Sequence, residues 1–295
     1  MTDPSLPRFV IIGAIKGATT WLQFQLDNHP GVFLPAAEPH FFSQEYERGL
    51  GHYRSLFGDA GADQMLGEKS ADYLGDPDAP RRLAETLPDA KLIVQLRNPV
   101  DRAYSDYKML YRRGTITEGP QEHLRPGGPL HERLLGQGLY AHHLRRWFDL
   151  FPREQIQVLL YEDVLAEPAR VVDEVCRHIG VPTHFSSDFA ATRRNDSGVA
   201  HLPLGLRNLL QPIKGAVKPL RGSALFESVR GLFARRIGYP ALPGNVRAGL
   251  VDYYRRDVHD LEKLIGRDLS HWCTADNART VRIPAAKPAE RCLAG

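Results

Sequence analysis

Cysteine is scarce in this chain of 295 residues: Cys176, Cys273 and Cys292 are too few and too scattered for a disulfide framework or a zinc site. A Cys273 to Cys292 bridge stays open, and unpaired thiols are what a reducing compartment favours. Long hydrophobic runs are missing too. No stretch reaches the roughly 18 apolar residues that a spanning helix requires, so no membrane-spanning segment is expected. Met1 to Pro7 holds Asp3 and two prolines but no basic segment followed by an apolar core. A secretory leader is therefore not expected, and the protein is placed in the cytoplasm. Charge of one sign is weak as well: the net value is +3, and no nucleic-acid partner is expected.

What is present is the composition of a folded domain. Hydrophobic residues at 42% and charged residues at 25% exclude disorder, collagen and a membrane bundle, and the length allows one large α/β domain or two small ones. The basic charge is concentrated between Val199 and Pro240. Arg207, Lys214, Lys218, Arg221, Arg230, Arg235 and Arg236 there face a single acid, Glu227. This excess suits an anionic substrate, a membrane surface contacted peripherally or a phosphate group, and equally the solvated face of short amphipathic helices broken by proline and glycine.

Three β-branched apolar runs read as buried parallel strands: Phe9 to Gly13, Lys91 to Leu96 and Ile156 to Tyr161. Each precedes a helical pattern, from about Gly17 to Asp27, from Pro99 onward, and from Glu162 to near Gly180. Such alternation predicts an α/β fold, a parallel sheet with helices on both faces, whose ligands lie beyond the carboxyl ends of the strands. A Gly- and Pro-rich loop spans Gly114 to Pro129. A last amphipathic helix, about Asn245 to Ile265, puts Leu250, Tyr253, Tyr254, Val258, Leu261 and Leu264 on one stripe.

The segment after the first strand, Gly13-Ala-Ile-Lys16-Gly17-Ala18-Thr19-Thr20, joins strand to helix. Backbone N–H groups and the positive end of the helix dipole point there, small residues allow close approach, and Lys16 adds a mobile cation. A phosphate-like group fits; a plain βα turn is the alternative. The motif is not Walker A, because the lysine precedes the glycine and no acidic magnesium ligands are evident. Arg97, at the end of the second strand, and Ser105, about two turns into the next helix, converge on one anion only if that helix passes beside the loop. Arg97 or Arg102 is otherwise a salt-bridge partner. Glu38-Pro-His40-Phe41-Phe42 offers a carboxylate beside rigid and aromatic neighbours, suited to a general base, although an isolated Glu or His is more often a surface or capping residue.

In order and spacing, these segments resemble a known family. The Lys16 loop, Glu38-x-His-Phe-Phe, Glu68-Lys69-Ser70, Leu96-Arg97-Asn-Pro to Ser105-Asp-Tyr, Gly138-x-Tyr140 to Trp147, Tyr161-Glu162-Asp163 and the ending from Tyr239-Pro to Trp272 look like sulfotransferases that use 3'-phosphoadenosine 5'-phosphosulfate (PAPS). The likeness is to bacterial relatives of heparan sulfate sulfotransferases, over about Arg8 to Trp272. It implies a P-loop-like three-layer domain over residues 8 to 272, with 199 to 240 a basic helical insertion and short tails at 1 to 7 and 273 to 295. It also implies donor contacts from Lys16, Gly17, Ala18, Thr19, Thr20 and Trp21, with Lys16 stabilising the leaving phosphate oxygen. Arg97 and Ser105 would bind the 3'-phosphate, with Arg194 and Asn195 in a further loop near the nucleotide. Glu38 would be the base, and His40 and Lys69 would line the acceptor side. No metal is implied, and 3'-phosphoadenosine 5'-phosphate (PAP) is the product.

Three departures stand out: Ala37 and Ala71-Asp72 on the acceptor side, and Ala18 in place of a second glycine. The acceptor stays open among a carbohydrate, a glycolipid and a small hydroxylated natural product, as does the choice of hydroxyl or amine. A P-loop small-molecule kinase and a non-enzymatic nucleotide-binding or membrane-peripheral module are the competing readings.

Overall fold

The computed structural model describes residues 3–187 and 238–274. Arg194, Asn195, most of the basic segment and Cys292 lie outside the described residues.

Five strands form one parallel sheet: β1 (Phe9–Gly13), β2 (Val32–Phe33), β3 (Met65–Lys69), β4 (Lys91–Leu96) and β5 (Ile156–Leu160), in the order β2-β3-β1-β4-β5. β1 lies in the middle, and its alternation divides the core. Val10 and Ile12 point to one face, Phe9 and Ile11 to the other, and all four are fully buried. Burial of that kind contributes about 1.5–3 kcal/mol per side chain.

Helices cover both faces. On one side lie α1 (Thr19–Asp27) and, after β5, α8 (Tyr161–Ala166) and α9 (Pro168–Ile179), burying Leu22, Leu26, Val164, Val171, Val175 and Ile179. On the other lie α2 (Gly49–Ser55), α3 (Ala79–Thr86), α4 (Pro99–Arg113), α7 (Tyr140–Phe148) and α10 (Gly244–Ile265), with the four-residue turns α5 (Pro120–His123) and α6 (His131–Leu134) between them. Asp257 ties α10 to α7: its carboxylate accepts the N–H groups of Ala141 and His142, both at 3.0 Å. Neighbouring strands β1 and β4 therefore send their helices, α1 and α4, to opposite faces, which opens a crevice at their carboxyl ends.

The three strands expected from sequence stand within one residue of their predicted limits. β2 and β3 are additions. β2 is two residues long, and β3 reads Met-Leu-Gly-Glu-Lys, without the β-branched run that marked the others. Gly67 belongs there because the Phe9 ring crosses it: a Cβ would stand 2.1 Å from the ring. The expected single helix after β5 is two, α8 and α9, because Pro168 starts a new first turn, and Gly180 closes α9 in the left-handed region. α1 begins at Thr19 rather than Gly17 because Ala18 is itself left-handed, with φ 71°. In α10, Leu250, Tyr254, Val258 and Leu261 of the expected stripe are buried, and Tyr253 and Leu264 pack partly buried against the same core.

Candidate active site

The loop from Gly13 to Ala18 leaves β1 and doubles back against β4. The Ala14 N–H donates to the Gln95 carbonyl at 3.0 Å, and the Gln95 side-chain amide donates to the Gly17 carbonyl at 2.8 Å. Gly17 has no alternative. A Cβ there would sit 2.2 Å from the Gln95 carbonyl oxygen. Lys16 and Ala18, flanking it, both take positive φ, 63° and 71°. Ala18 is the cap residue of α1 and has no side chain to satisfy the N-terminal N–H groups, so the turn presents main chain to an incoming anion. Of the expected loop residues, Thr19 is buried and Thr20 is exposed. Trp21 follows in the first turn of α1. The residue is 5% exposed within the core of the α1 face, and its backbone N–H donates to the Ala18 carbonyl at 3.0 Å.

Lys16 reaches across the crevice to α4, where its ammonium lies 3.7 Å from the Met109 sulfur. No carboxylate pairs with it among the described residues. Burial lowers the Lys16 ammonium below the usual lysine range; Asp106 opposes that shift, and Arg112, Arg113 and Arg97 add to it. A half-buried lysine short of anions and close to other cations is an arrangement that an anionic ligand completes.

Helix α4 supplies the opposite wall. Asn98 caps it by accepting the N–H of Val100 at 2.9 Å, and Pro99 fills its first turn. Arg102 and Asp106 point inward, both fully buried, with Arg102 donating to the Leu134 carbonyl and Asp106 paired to Arg133 at 3.3 Å. The arginine tied into the scaffold is therefore Arg102. Arg97 pairs with no carboxylate among the described residues and lies over the Tyr161 ring at 5.1 Å, while its carbonyl accepts the Tyr140 hydroxyl at 2.9 Å. Ser105 is half-buried one helical turn before Met109, on the face that Lys16 meets. Helix α4 passes beside the Lys16 loop, the condition set from sequence for Arg97 and Ser105 to converge on one anion.

The second cluster gathers at the carboxyl end of β3. Glu38 Oε1 pairs with the Lys69 ammonium at 2.8 Å, and Oε2 accepts the Ala71 N–H at 3.0 Å. Lys69, 5% exposed, also donates to Gln23 of α1 at 3.0 Å. His40 holds Asp72 through Nδ1 at 2.7 Å, and its N–H donates to the Ser70 hydroxyl at 2.9 Å. The next residues anchor this stretch. Phe41 and Phe42 pack among Tyr46, Tyr53 and Tyr73, and the Phe42 N–H donates to the Tyr73 hydroxyl at 3.1 Å. Beneath lies Glu68, fully buried beside the hydroxyls of Tyr53 and Tyr73, and burial raises its carboxyl to about 8. Glu38, His40 and Asp72 bring ligand atoms within 4.8 Å of one another. Lys69 already neutralises Glu38, and Asp72 is taken up in hydrogen bonds, a set committed within the protein rather than to a cation.

The two clusters adjoin. The Ser70 N–H donates to the Ile11 carbonyl at 3.1 Å, and the Ala71 carbonyl lies 3.2 Å from where a Cβ on Gly13 would sit. A cationic cradle at β1 and β4 thus borders a carboxylate at β3. Gln23, Gln95 and Met109 were not singled out by the sequence, although a glutamine inside the apolar run of β4 is a signal that something polar lies beside it.

Residues 6–195 match the model of the sulfotransferase domain. The chain belongs to the sulfotransferase family. It is 32% identical to the bifunctional heparan sulfate N-deacetylase/N-sulfotransferase 3 of Mus musculus over 92% of this chain and 31% of that protein. It is 38% identical to the heparan sulfate glucosamine 3-O-sulfotransferase 6 of Homo sapiens over 59% of this chain and 52% of that protein. The chain therefore spans from about a third to half of these relatives. A crystal structure of a sulfotransferase from Alicyclobacillus acidocaldarius superposes with a TM-score of 0.68 at 28% identity, covering 91% of this chain and 99% of that one. Family membership sets aside the kinase and the non-enzymatic module. Residues 6–195 therefore form a sulfotransferase domain. Among the described residues, no helix is long and apolar enough to cross a membrane.

Proposed function

We propose that residues 8 to 272 act as one catalytic unit that moves a sulfuryl group from PAPS to a hydroxyl or amine of a glycan acceptor, one containing glucosamine as the names of the relatives suggest. The observation that carries this is Lys16, partly desolvated near Arg97, Arg112 and Arg113 with no paired carboxylate among the described residues, on a turn in which Gly17 leaves room only for backbone. In this reading the turn from Lys16 to Thr20 holds the 5'-phosphosulfate, and Lys16 stabilises charge developing on the phosphate oxygen as the sulfur–oxygen bond breaks. Arg97 and Ser105 take the 3'-phosphate.

Glu38 accepts the proton of the attacking group. Lys69 holds that carboxylate in place, and its bond to Gln23 of α1 fixes the base relative to the phosphate turn. Arg194 remains assigned to a further loop near the nucleotide. A thermal-shift titration tests the donor site: a ligand that binds only the folded form stabilises it by about 2.7 kcal/mol at a hundred times its dissociation constant. PAP raises the melting temperature, and ATP and adenosine phosphosulfate do so far less. Equal shifts with ATP overturn the assignment of Arg97 and Ser105.

A further inference from the structure

Asp72 has no part in the chemistry above, yet the acceptor side is built around it. Its Oδ1 faces His40 Nδ1 at 2.7 Å, and its Oδ2 accepts from the Ser43 hydroxyl at 2.7 Å and from the Gln44 amide at 2.9 Å. The carboxylate therefore has no rotational freedom to spare. His40 is fixed just as firmly along its backbone. It sits in the left-handed region with φ 50°, its N–H bound to Ser70 and its carbonyl accepting the N–H groups of Gln44 and Glu45 at 2.8 and 3.0 Å. Such a conformation in a non-glycine residue costs free energy that the surrounding bonds must offset.

A carboxylate facing Nδ1 puts the proton of the neutral imidazole on that nitrogen and leaves the lone pair on Nε2. His40 Nε2 meets no hydrogen-bond partner among the described residues, and the side chain is 37% exposed. One of its ring nitrogens lies within 4.8 Å of a carboxylate oxygen of Glu38 and of Asp72, which puts the imidazole beside the base.

We infer that Asp72 is a positioning residue that locks His40 into the Nδ1–H tautomer, so that Nε2 accepts a hydrogen bond from the acceptor hydroxyl or amine adjacent to the one that attacks. The inference rests on the sulfotransferase reading. It specifies the acceptor as carrying two neighbouring donors, as a sugar diol or amino alcohol does, rather than a lone hydroxyl. In the transfer, the bond between sulfur and the donor's phosphate oxygen breaks, the acceptor's new bond to sulfur forms, and the acceptor proton goes to Glu38. His40 neither gains nor loses a proton.

The test uses the full chain with its 12 histidines labelled with 15N, in alkaline buffer where imidazoles are neutral, the His40 signals being those lost in H40Q. In the wild type the pattern is Nδ1–H. In D72A it converts to mostly Nε2–H while the chain still melts cooperatively and PAP affinity stays unchanged. With a glucosamine-containing oligosaccharide as acceptor, kcat falls ~10- to 100-fold in D72A while KM for PAPS is unchanged, as misorientation of one reactant predicts. D72N keeps an oxygen facing Nδ1, retains the tautomer and restores most of kcat. H40Q in the D72A background adds no further loss. An unchanged tautomer or unchanged kcat in D72A, or additive losses in the double variant, overturns the inference. Should the wild type not turn over PAPS with this acceptor, the functional reading fails, and the tautomer of D72A still decides whether Asp72 sets the state of His40.

Discussion

The two walls of the crevice are built on opposite electrostatic plans. At the ends of β1 and β4, two cations have no carboxylate partner among the described residues: Lys16 lies beside a thioether and Arg97 over an aromatic ring, with a turn of main chain between them. At the end of β3, the polar groups already have partners, Glu38 in an ion pair with Lys69 and Asp72 in hydrogen bonds with His40, Ser43 and Gln44. Under the proposed function, the difference follows from what each wall receives. A phosphorylated donor brings its own negative charge, so its wall leaves that charge to the ligand. A neutral hydroxyl or amine brings none, so its wall must hold a base in a fixed position before the acceptor arrives.

The comparison can be broken most severely at Glu38. Glu38→Gln keeps the hydrogen bond from Ala71 but loses the base, and transfer falls ~10²- to 10⁴-fold with PAP binding preserved, measured by PAP release and calorimetry. Unchanged turnover would move the base elsewhere. Lys16→Ala tests the other wall and should do the reverse of an acceptor-side change: kcat falls ~10²- to 10³-fold and PAP binding weakens together with it, with melting little altered because the lysine makes no ion pair among the described residues. Loss of turnover with full PAP affinity would put Lys16 on the acceptor side instead.

Smaller effects sharpen the contrast through stability. Glu68 lies under the acceptor wall with its folded pKa raised from 4.5 to about 8, so between these values the folded form holds a proton that the unfolded chain releases. The stabilisation is fully present below about 4.5 and is lost as pH rises through 8. Glu68→Gln should therefore raise stability at pH 8, by something on the order of a few kcal/mol, and the gain should vanish near pH 4.5 in melts across that range. A variant gain independent of pH would refute it. Ala18→Gly removes a left-handed alanine, worth about 1–2 kcal/mol, against about 0.4–1 kcal/mol of added unfolded-chain entropy, for a rise of roughly 2 °C. A drop in melting temperature would show that the alanine is relaxed there.

How much of this was legible without coordinates differs between the walls in the same way. The phosphate turn is local: strand, Lys16-Gly17 and helix are contiguous, so their chemistry could be read in a few residues. The acceptor wall is not. His40 and Asp72 are 32 residues apart and Lys69 and Gln23 are 46 apart, and neither pairing has a periodicity that marks it. β3 was hidden for a related reason, since Gly67, Glu68 and Lys69 look like loop until Phe9 covers the glycine and the tyrosines enclose the glutamate.

The sequence by itself determined the parallel α/β plan, the glycine turn after β1 and the helix that stands opposite, because β-branched runs, a glycine before a helix and proline at first turns act over neighbouring residues. Only the tertiary structure decided which charges are matched and which wait for a ligand. That outcome depends on which strands lie side by side, and β3 beside β1 puts Lys69 next to Ile11 across more than fifty residues of chain.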